Sequence, residues 1–175
     1  AAMVMEFVEG ETLDELILRF QGPLPPSLCL EIFDQVLAAM GYAHSHGLVH
    51  RDIKPSNIMV RRIGRQVQVK VMDFGVAKIL GLEKQRTATS AKIGTLQYMS
   101  PEQLRSPKDV DHRSDIYSLG VTLYEMATGR VPYDSEVEFD LMKQIITAAP
   151  PLPRTINPNL DQRLETVIMH AIEKE

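Results

Sequence analysis

The chain has 175 residues, 44% of them hydrophobic and 24% charged, enough for one globular domain with a core of its own. That composition excludes a long disordered segment, a collagen-like repeat and a disulfide scaffold. With 19 basic and 23 acidic residues the net charge is −4, a poor match to a phosphate backbone, so nucleic acid is not expected as the main partner.

Ala1 to Val8 is a short apolar run that reads as a buried strand ended by Gly10. Leu13, Leu16, Ile17 and Phe20 are spaced as a helix over 12–20. Pro25 and Pro26 then open a long helix whose expected buried stripe is Cys29, Phe33, Val36, Leu37 and Met40, with Gly47 closing it. A polar stretch over 48–57 precedes strands at 58–61 and 67–72, and the turn at Gly64 makes them a hairpin. Asp73 to Met99 has little periodicity, and loops of that length are functional or disordered. Residues 114–128 are apolar nearly all round, Ile116, Leu119 and Val121 among them, and predict a core helix. Amphipathic helices are expected over 136–149 and from 159 onward, joined by a proline-rich connector over 150–158. No apolar run approaches the roughly 18 residues of a membrane span, and no basic-flanked leader precedes the first strand. The chain does not begin with Met and both ends lie inside patterned sequence, so a fragment of a longer polypeptide is expected. The lone Cys29 cannot form an internal disulfide and fits a reducing, cytoplasmic setting.

The chemistry concentrates in His50-Arg51-Asp52-Ile53-Lys54-Pro55-Ser56-Asn57. Phosphoryl transfer needs such a set: Asp52 can accept a proton from an attacking hydroxyl, Lys54 can neutralise charge on a transferring phosphoryl group, and the Asn57 oxygen can ligate a hard cation. Sixteen residues after Asn57, Asp73-Phe74-Gly75 follows an apolar strand, placing a second carboxylate where it could bind metal.

With these motifs the chain resembles the C-terminal lobe of protein kinases, and more closely the eukaryotic-like Ser/Thr kinases of bacteria. The match extends through Gly94-Thr95, Ser100-Pro101-Glu102 and Asp115-Ile116-Tyr117-Ser118-Leu119-Gly120, and covers essentially the whole chain. It implies a mainly α (α+β) fold, a helical lobe with a small β hairpin. It divides the chain into a hinge region (1–11), lobe helices and catalytic loop (12–72), an activation segment (73–102) and remaining helices (103–175). It also implies transfer of the ATP γ-phosphoryl group to Ser or Thr hydroxyls of proteins, with Mg²⁺.

By the same resemblance Asp52 would be the catalytic base and Lys54 the charge neutraliser, with Asn57 and Asp73 as Mg²⁺ ligands. Met5 would gate the back pocket, Glu6 and Val8 would offer backbone groups to adenine, and Leu13 with Met59 would form the pocket floor. Thr95 would position substrate, His50 would stack on Phe74, and Asp115 would hold the catalytic loop through its backbone. Arg51 would pair with a phosphate on Thr87, Thr89 or Ser90, placed there by autophosphorylation between associated copies. Glu102 would pair with an Arg farther along than this sequence reaches, so it is expected without that partner. The glycine-rich loop, strand Lys and helix Glu of the family cannot be placed, so the isolated chain is expected to transfer phosphate poorly. A catalytically silent kinase-like binding or scaffolding module is the alternative. Taken singly, His44, His46, His112 and His170 read as surface or core residues, and Cys29 and most methionines as core.

Overall fold

The helix predicted to be apolar nearly all round, His112–Thr128, packs against the helices Pro26–Ser45, Pro153–Ile156 and Gln162–Ala171. A computed structural model describes residues 6, 8–74, 94–106 and 110–174 of the chain. In chain order these form β1 (Glu11–Thr12), α1 (Leu13–Phe20), α2 (Pro26–Ser45), a 3-10 turn (Pro55–Asn57), β2 (Ile58–Ile63) and β3 (Gln66–Val71). There follow α3 (Pro101–Arg105), α4 (His112–Thr128), α5 (Glu138–Thr147), α6 (Pro153–Ile156) and α7 (Gln162–Ala171). Among the described residues the architecture is mainly helical, as expected, with one small antiparallel sheet, order β1-β2-β3, which adds a strand to the expected hairpin. Among the described residues no helix is long and apolar enough to cross a membrane.

Helix α4 buries Leu119, Val121, Leu123, Tyr124 and Met126, but it also buries Ser114, Asp115, Ser118, Thr122 and Thr128. Three of these hydroxyls have an acceptor one turn back along the helix, Ser118 in Ser114 O, Thr122 in Ser118 O and Thr128 in Tyr124 O, at 2.8–3.0 Å, while Ser114 donates to Glu102 Oε1 at 2.8 Å. Ile116, expected in the core, is 43% exposed instead.

Pro25 caps α2 and Pro26 occupies its first turn, where a missing N–H leaves nothing unsatisfied. The buried stripe holds Cys29, Phe33, Val36 and Met40 as read from the sequence, but Leu37 lies 48% exposed. Ile32 and Ala43 are buried in its stead, so the stripe is turned toward the Ile32 flank. Two side chains of α2 also reach the outer edge of β3. Gln35 Nε2 donates to Val67 O (2.9 Å), Gln35 Oε1 accepts from Val69 N (3.1 Å), and Glu31 Oε1 accepts from Val67 N (2.9 Å).

The hairpin forms as predicted, with β2 and β3 paired from Ile58↔Val71 to Ile63↔Gln66. Two short elements escaped the sequence reading because neither spans a full period. Strand β1 pairs Glu11↔Val60 and Thr12↔Met59, and α6 sits inside the proline-rich connector with Pro153 opening it. Gly10, read as a strand terminator, is needed for close approach: at φ 140° a Cβ there would stand 2.6 Å from Val60 O. The expected strand at the N-terminus falls mostly outside the described residues, and Glu6 and Val8 belong to no helix or strand.

The main core joins α1, α2, β2, α4 and α7. A second, smaller core of Leu96, Tyr133, Leu141 and Ile145 fixes α5 against residues 94–104. Where α4 crosses α7, a Cβ on Gly120 would lie 2.7 Å from Ile172 Cγ2 and 2.8 Å from Ala171 Cβ. Helix propensity alone favours Ala over Gly by about 1 kcal/mol. The crossing reverses that sign: Gly120→Ala is expected to destabilise by about 1–3 kcal/mol. Urea unfolding checks this, and a stabilised variant would contradict the tight crossing.

Candidate active site

The polar loop from His50 to Asn57 links α2 to β2, and it is held from below by one carboxylate. Asp115, in the first turn of α4, has no solvent exposure. Its Oδ1 accepts from Arg51 N (2.7 Å), and its Oδ2 accepts from His50 N (2.8 Å) and His44 Nε2 (2.8 Å). These donors compensate a burial that would otherwise be costly for a carboxylate. They also hold Arg51 at φ 66°, in the left-handed region that costs an L-residue roughly 1–2 kcal/mol. The backbone role implied for Asp115 is therefore met geometrically.

Above this anchor four side chains converge. Lys54 Nζ lies 3.2 Å from Asp52 Oδ2 and donates to Thr95 Oγ1 at 3.0 Å. Asn57 Nδ2 donates to Asp52 O (2.8 Å) and Asp52 Oδ2 (3.1 Å), which leaves the Asn57 amide oxygen as its unused polar atom in this cluster. Asn57 is 7% exposed, whereas the Asp52 and Lys54 side chains keep 26% and 18% exposure. The loop thus presents a carboxylate and an ammonium at its surface while its amide is locked beneath them.

Asp73 enters from the end of β3. Met72 N donates to Asn57 O at 2.8 Å, which fastens the residues leading to Asp73 onto the His50–Asn57 loop. Asp73 is exposed at φ 57°, a conformation Asp tolerates better than most residues. Phe74 stacks on His50 as expected, centroids 4.7 Å apart and planes tilted by 45°. His50 Nε2 donates to Met72 O (2.8 Å) and Nδ1 accepts from Asp52 N (3.3 Å), which requires the neutral ring. Burial is the main cause that pushes the His50 pKa below 6.5, outweighing the opposing Met72 hydrogen bond and the Asp115 and Asp52 charges.

The expected hinge residues divide. Glu6, Val8 and Met59 line one cavity of about 570 Å³ over the open face of the hairpin, together with Arg61, Gln68 and Lys70. Glu6 pairs with Lys70 there. Leu13 does not form its floor: it is fully buried in the main core, next in the chain to Thr12, which pairs with Met59. Met5, Gly75, Thr87, Thr89 and Ser90 lie outside the described residues. Arg51 Nη2 reaches Val110 O at 3.4 Å. Glu102, expected without its Arg partner, accepts from Ser114 Oγ at 2.8 Å, because the first turn of α4 brings a buried hydroxyl to it.

Sequence reasoning missed several residues that shape this site. His44 was read as surface or core, yet it is the third donor to Asp115. Gln103 Nε2 donates to Arg51 O at 3.0 Å. Tyr98 donates to Glu125 Oε2 (2.6 Å) while Ser118 Oγ donates to Tyr98 O (2.7 Å), seating the chain after Thr95 on α4. Burial raises the pKa of both Tyr98 and Glu125. Nothing local in the sequence marks these partners, which lie 20 to 71 residues apart.

A family model described as "Protein kinase domain" matches residues 1–173. The chain is 40% identical over 173 residues to serine/threonine-protein kinase PrkC of Bacillus subtilis (strain 168), covering 99% of this chain and 26% of that protein. It is 39% identical over 172 residues to serine/threonine-protein kinase PknB of Mycobacterium leprae (strain TN), covering 98% of this chain and 27% of that protein. The chain therefore spans about a quarter of the length of these curated relatives. Among solved structures it resembles a crystal structure of Rad53 residues 1–466 in complex with AMP-PNP, with a TM-score of 0.77 and 27% identity over 98% of this chain and 41% of that one.

The neutral, buried His50 has a consequence for pH. Its folded pKa is depressed, so the unfolded chain binds the proton more readily, and stability falls as pH drops below the unfolded value of 6.5. The stability advantage of the wild type over His50→Phe is expected to shrink between about pH 7 and about pH 5. Urea unfolding at a series of pH values measures it, and a constant difference would show that His50 does not titrate in that window.

Proposed function

As this chain belongs to the protein kinase family, we propose that it carries the catalytic loop and substrate-receiving segment of a Ser/Thr protein kinase, acting within a longer polypeptide. The observation that carries this reading is the convergence of Asp52, Lys54, Asn57 and Thr95 within 3.2 Å contacts.

In this reading Asp52 accepts the proton of an incoming Ser or Thr hydroxyl. Asn57, by donating to both the backbone and side chain of Asp52, fixes the direction in which that carboxylate can accept. Lys54 bridges Asp52 and Thr95, so its charge sits where negative charge would gather on a transferring phosphoryl group. The Thr95 hydroxyl orients Lys54 from the substrate side, which supports the Ser/Thr assignment.

ATP and Mg²⁺ are used generally in this family, and the donor set here fits them. The Asn57 amide oxygen and the exposed Asp73 carboxylate are both hard oxygen donors, brought close by the Met72–Asn57 backbone bond. When bound, Mg²⁺ neutralises charge on the phosphates. Glu6 and Val8 would offer backbone groups to adenine above Met59, with Met5 as the gate. Protein Ser/Thr side chains are the substrates, and the single free, buried Cys29 accords with a cytoplasmic setting.

Asp52→Asn in the full-length polypeptide is expected to lower kcat by about 10²–10⁴ while leaving thermal stability unchanged. Transfer of radiolabelled phosphate from ATP to a generic protein substrate measures it, and full activity of the variant would overturn the reading. Arg51 is proposed to receive a phosphate on Thr87, Thr89 or Ser90, since a phosphate adds about −1.5 to −2 charge beside it. Mass spectrometry after incubation with Mg-ATP is expected to find at least one of the three modified, by transfer between associated copies. If none is, Arg51 has another role.

A further inference from the structure

We propose that Gln103 is a positioning residue that ties the end of the substrate-receiving segment to the catalytic-loop backbone and so sets the aim of Asp52. The inference rests on the role given to Asp52 above.

The argument starts at the peptide unit between Arg51 and Asp52. A peptide unit is rigid, so fixing its carbonyl also fixes the N–H on its other side. That N–H belongs to Asp52, whose own bond to His50 Nδ1 is long at 3.3 Å. The stronger hold is on the carbonyl, where Gln103 Nε2 donates to Arg51 O at 3.0 Å. Arg51 is also at φ 66°, and its N–H is held by Asp115 Oδ1 at 2.7 Å. The left-handed turn before Asp52 is therefore clamped on both faces, by α4 on one side and by Gln103 on the other.

The Gln103 amide has no freedom to turn. Its Oε1 accepts from Ser100 N (3.0 Å), and Ser100 Oγ accepts from Gln103 N (3.3 Å), the reciprocal cap that opens α3. Glu would serve that cap as well as Gln. What Glu lacks is the N–H, so the cap alone does not account for Gln here, and the bond to Arg51 O does. Helix α3 follows Leu96 and Met99, which belong with Leu104 to the second core. Seating of residues 94–104 in that core is thus transmitted to the loop before Asp52 through one side-chain bond.

The cap and the tether can be separated. In the full-length polypeptide, Gln103→Glu keeps the cap and removes the donor, whereas Ser100→Ala weakens the cap and keeps the donor. Gln103→Glu is expected to hold its melting temperature and lower kcat about three- to tenfold, the worth of one hydrogen bond, with KM for ATP unchanged. Amide hydrogen exchange in a peptide covering 50–53 is expected to quicken in the same variant. Ser100→Ala is expected to melt several degrees lower yet to lose less kcat than Gln103→Glu. Gln103→Met, which adds no charge, is expected to lose as much kcat as Gln103→Glu. Wild-type exchange at 50–53 in Gln103→Glu would overturn the proposal, as would kcat that follows melting temperature across the three variants. If the unsubstituted polypeptide transfers no phosphate, the kinase reading fails, and the exchange result alone decides whether the tether exists.

Discussion

The site depends on one buried carboxylate. Asp115 sits in the first turn of the central helix with no exposure, and it collects donors from α2 and from the consecutive amides of His50 and Arg51. A buried acceptor of this kind is costly unless it is hydrogen-bonded. Its partners are therefore placed by necessity, and the loop takes the one shape that satisfies them. The left-handed Arg51 follows from that shape, and with it the direction in which Asp52 leaves the backbone. The helix that organises the hydrophobic core thus also fixes the polar loop.

The same helix holds the other side of the site through hydroxyls. Ser114 meets Glu102 and Ser118 meets Tyr98 O, while Glu125 receives the Tyr98 phenol. Small polar residues on a buried helix are economical here because each donates outward or back to its own backbone with little side-chain ordering. The segment of residues 94–104 is therefore fastened to α4 by polar contacts and to α5 by the second apolar core. The two attachments differ in kind. Directional bonds set its angle, and non-directional burial holds it down.

Much of this was legible in the sequence, for identifiable reasons. Helix α2 carried an apolar stripe between a proline start and a glycine end, and α4 was apolar nearly all round, so both were placed to within a few residues. The chemistry was legible because its residues are contiguous, from His50 to Asn57. Leu37 and Ile116 were misplaced because composition tells how much of a helix is apolar and not which way it faces. Leu13 is expected in the pocket and lies in the core, since it opens α1 and an apolar residue does not show from sequence alone which of two apolar environments it enters. His44, Gln103 and Ser114 were missed for another reason. Each acts on a residue far along the chain, and a polar side chain gives no local sign of a distant partner.

The contact of Glu31 and Gln35 with β3 carries a geometric consequence. Four residues of helix rise about 6 Å, and two residues of strand rise about 6.6–6.8 Å. One turn of α2 therefore matches the spacing between Val67 and Val69, the residues whose backbone groups these side chains meet. Residues two apart in a strand present their polar groups to the same edge, and a shift by one residue turns them to the other. A hairpin folded one residue out of register would meet this helix with the wrong groups and forfeit all three bonds. Helix α2 is in this sense a ruler laid along the sheet, and the strand that delivers Asp73 can be correct in only one alignment against it.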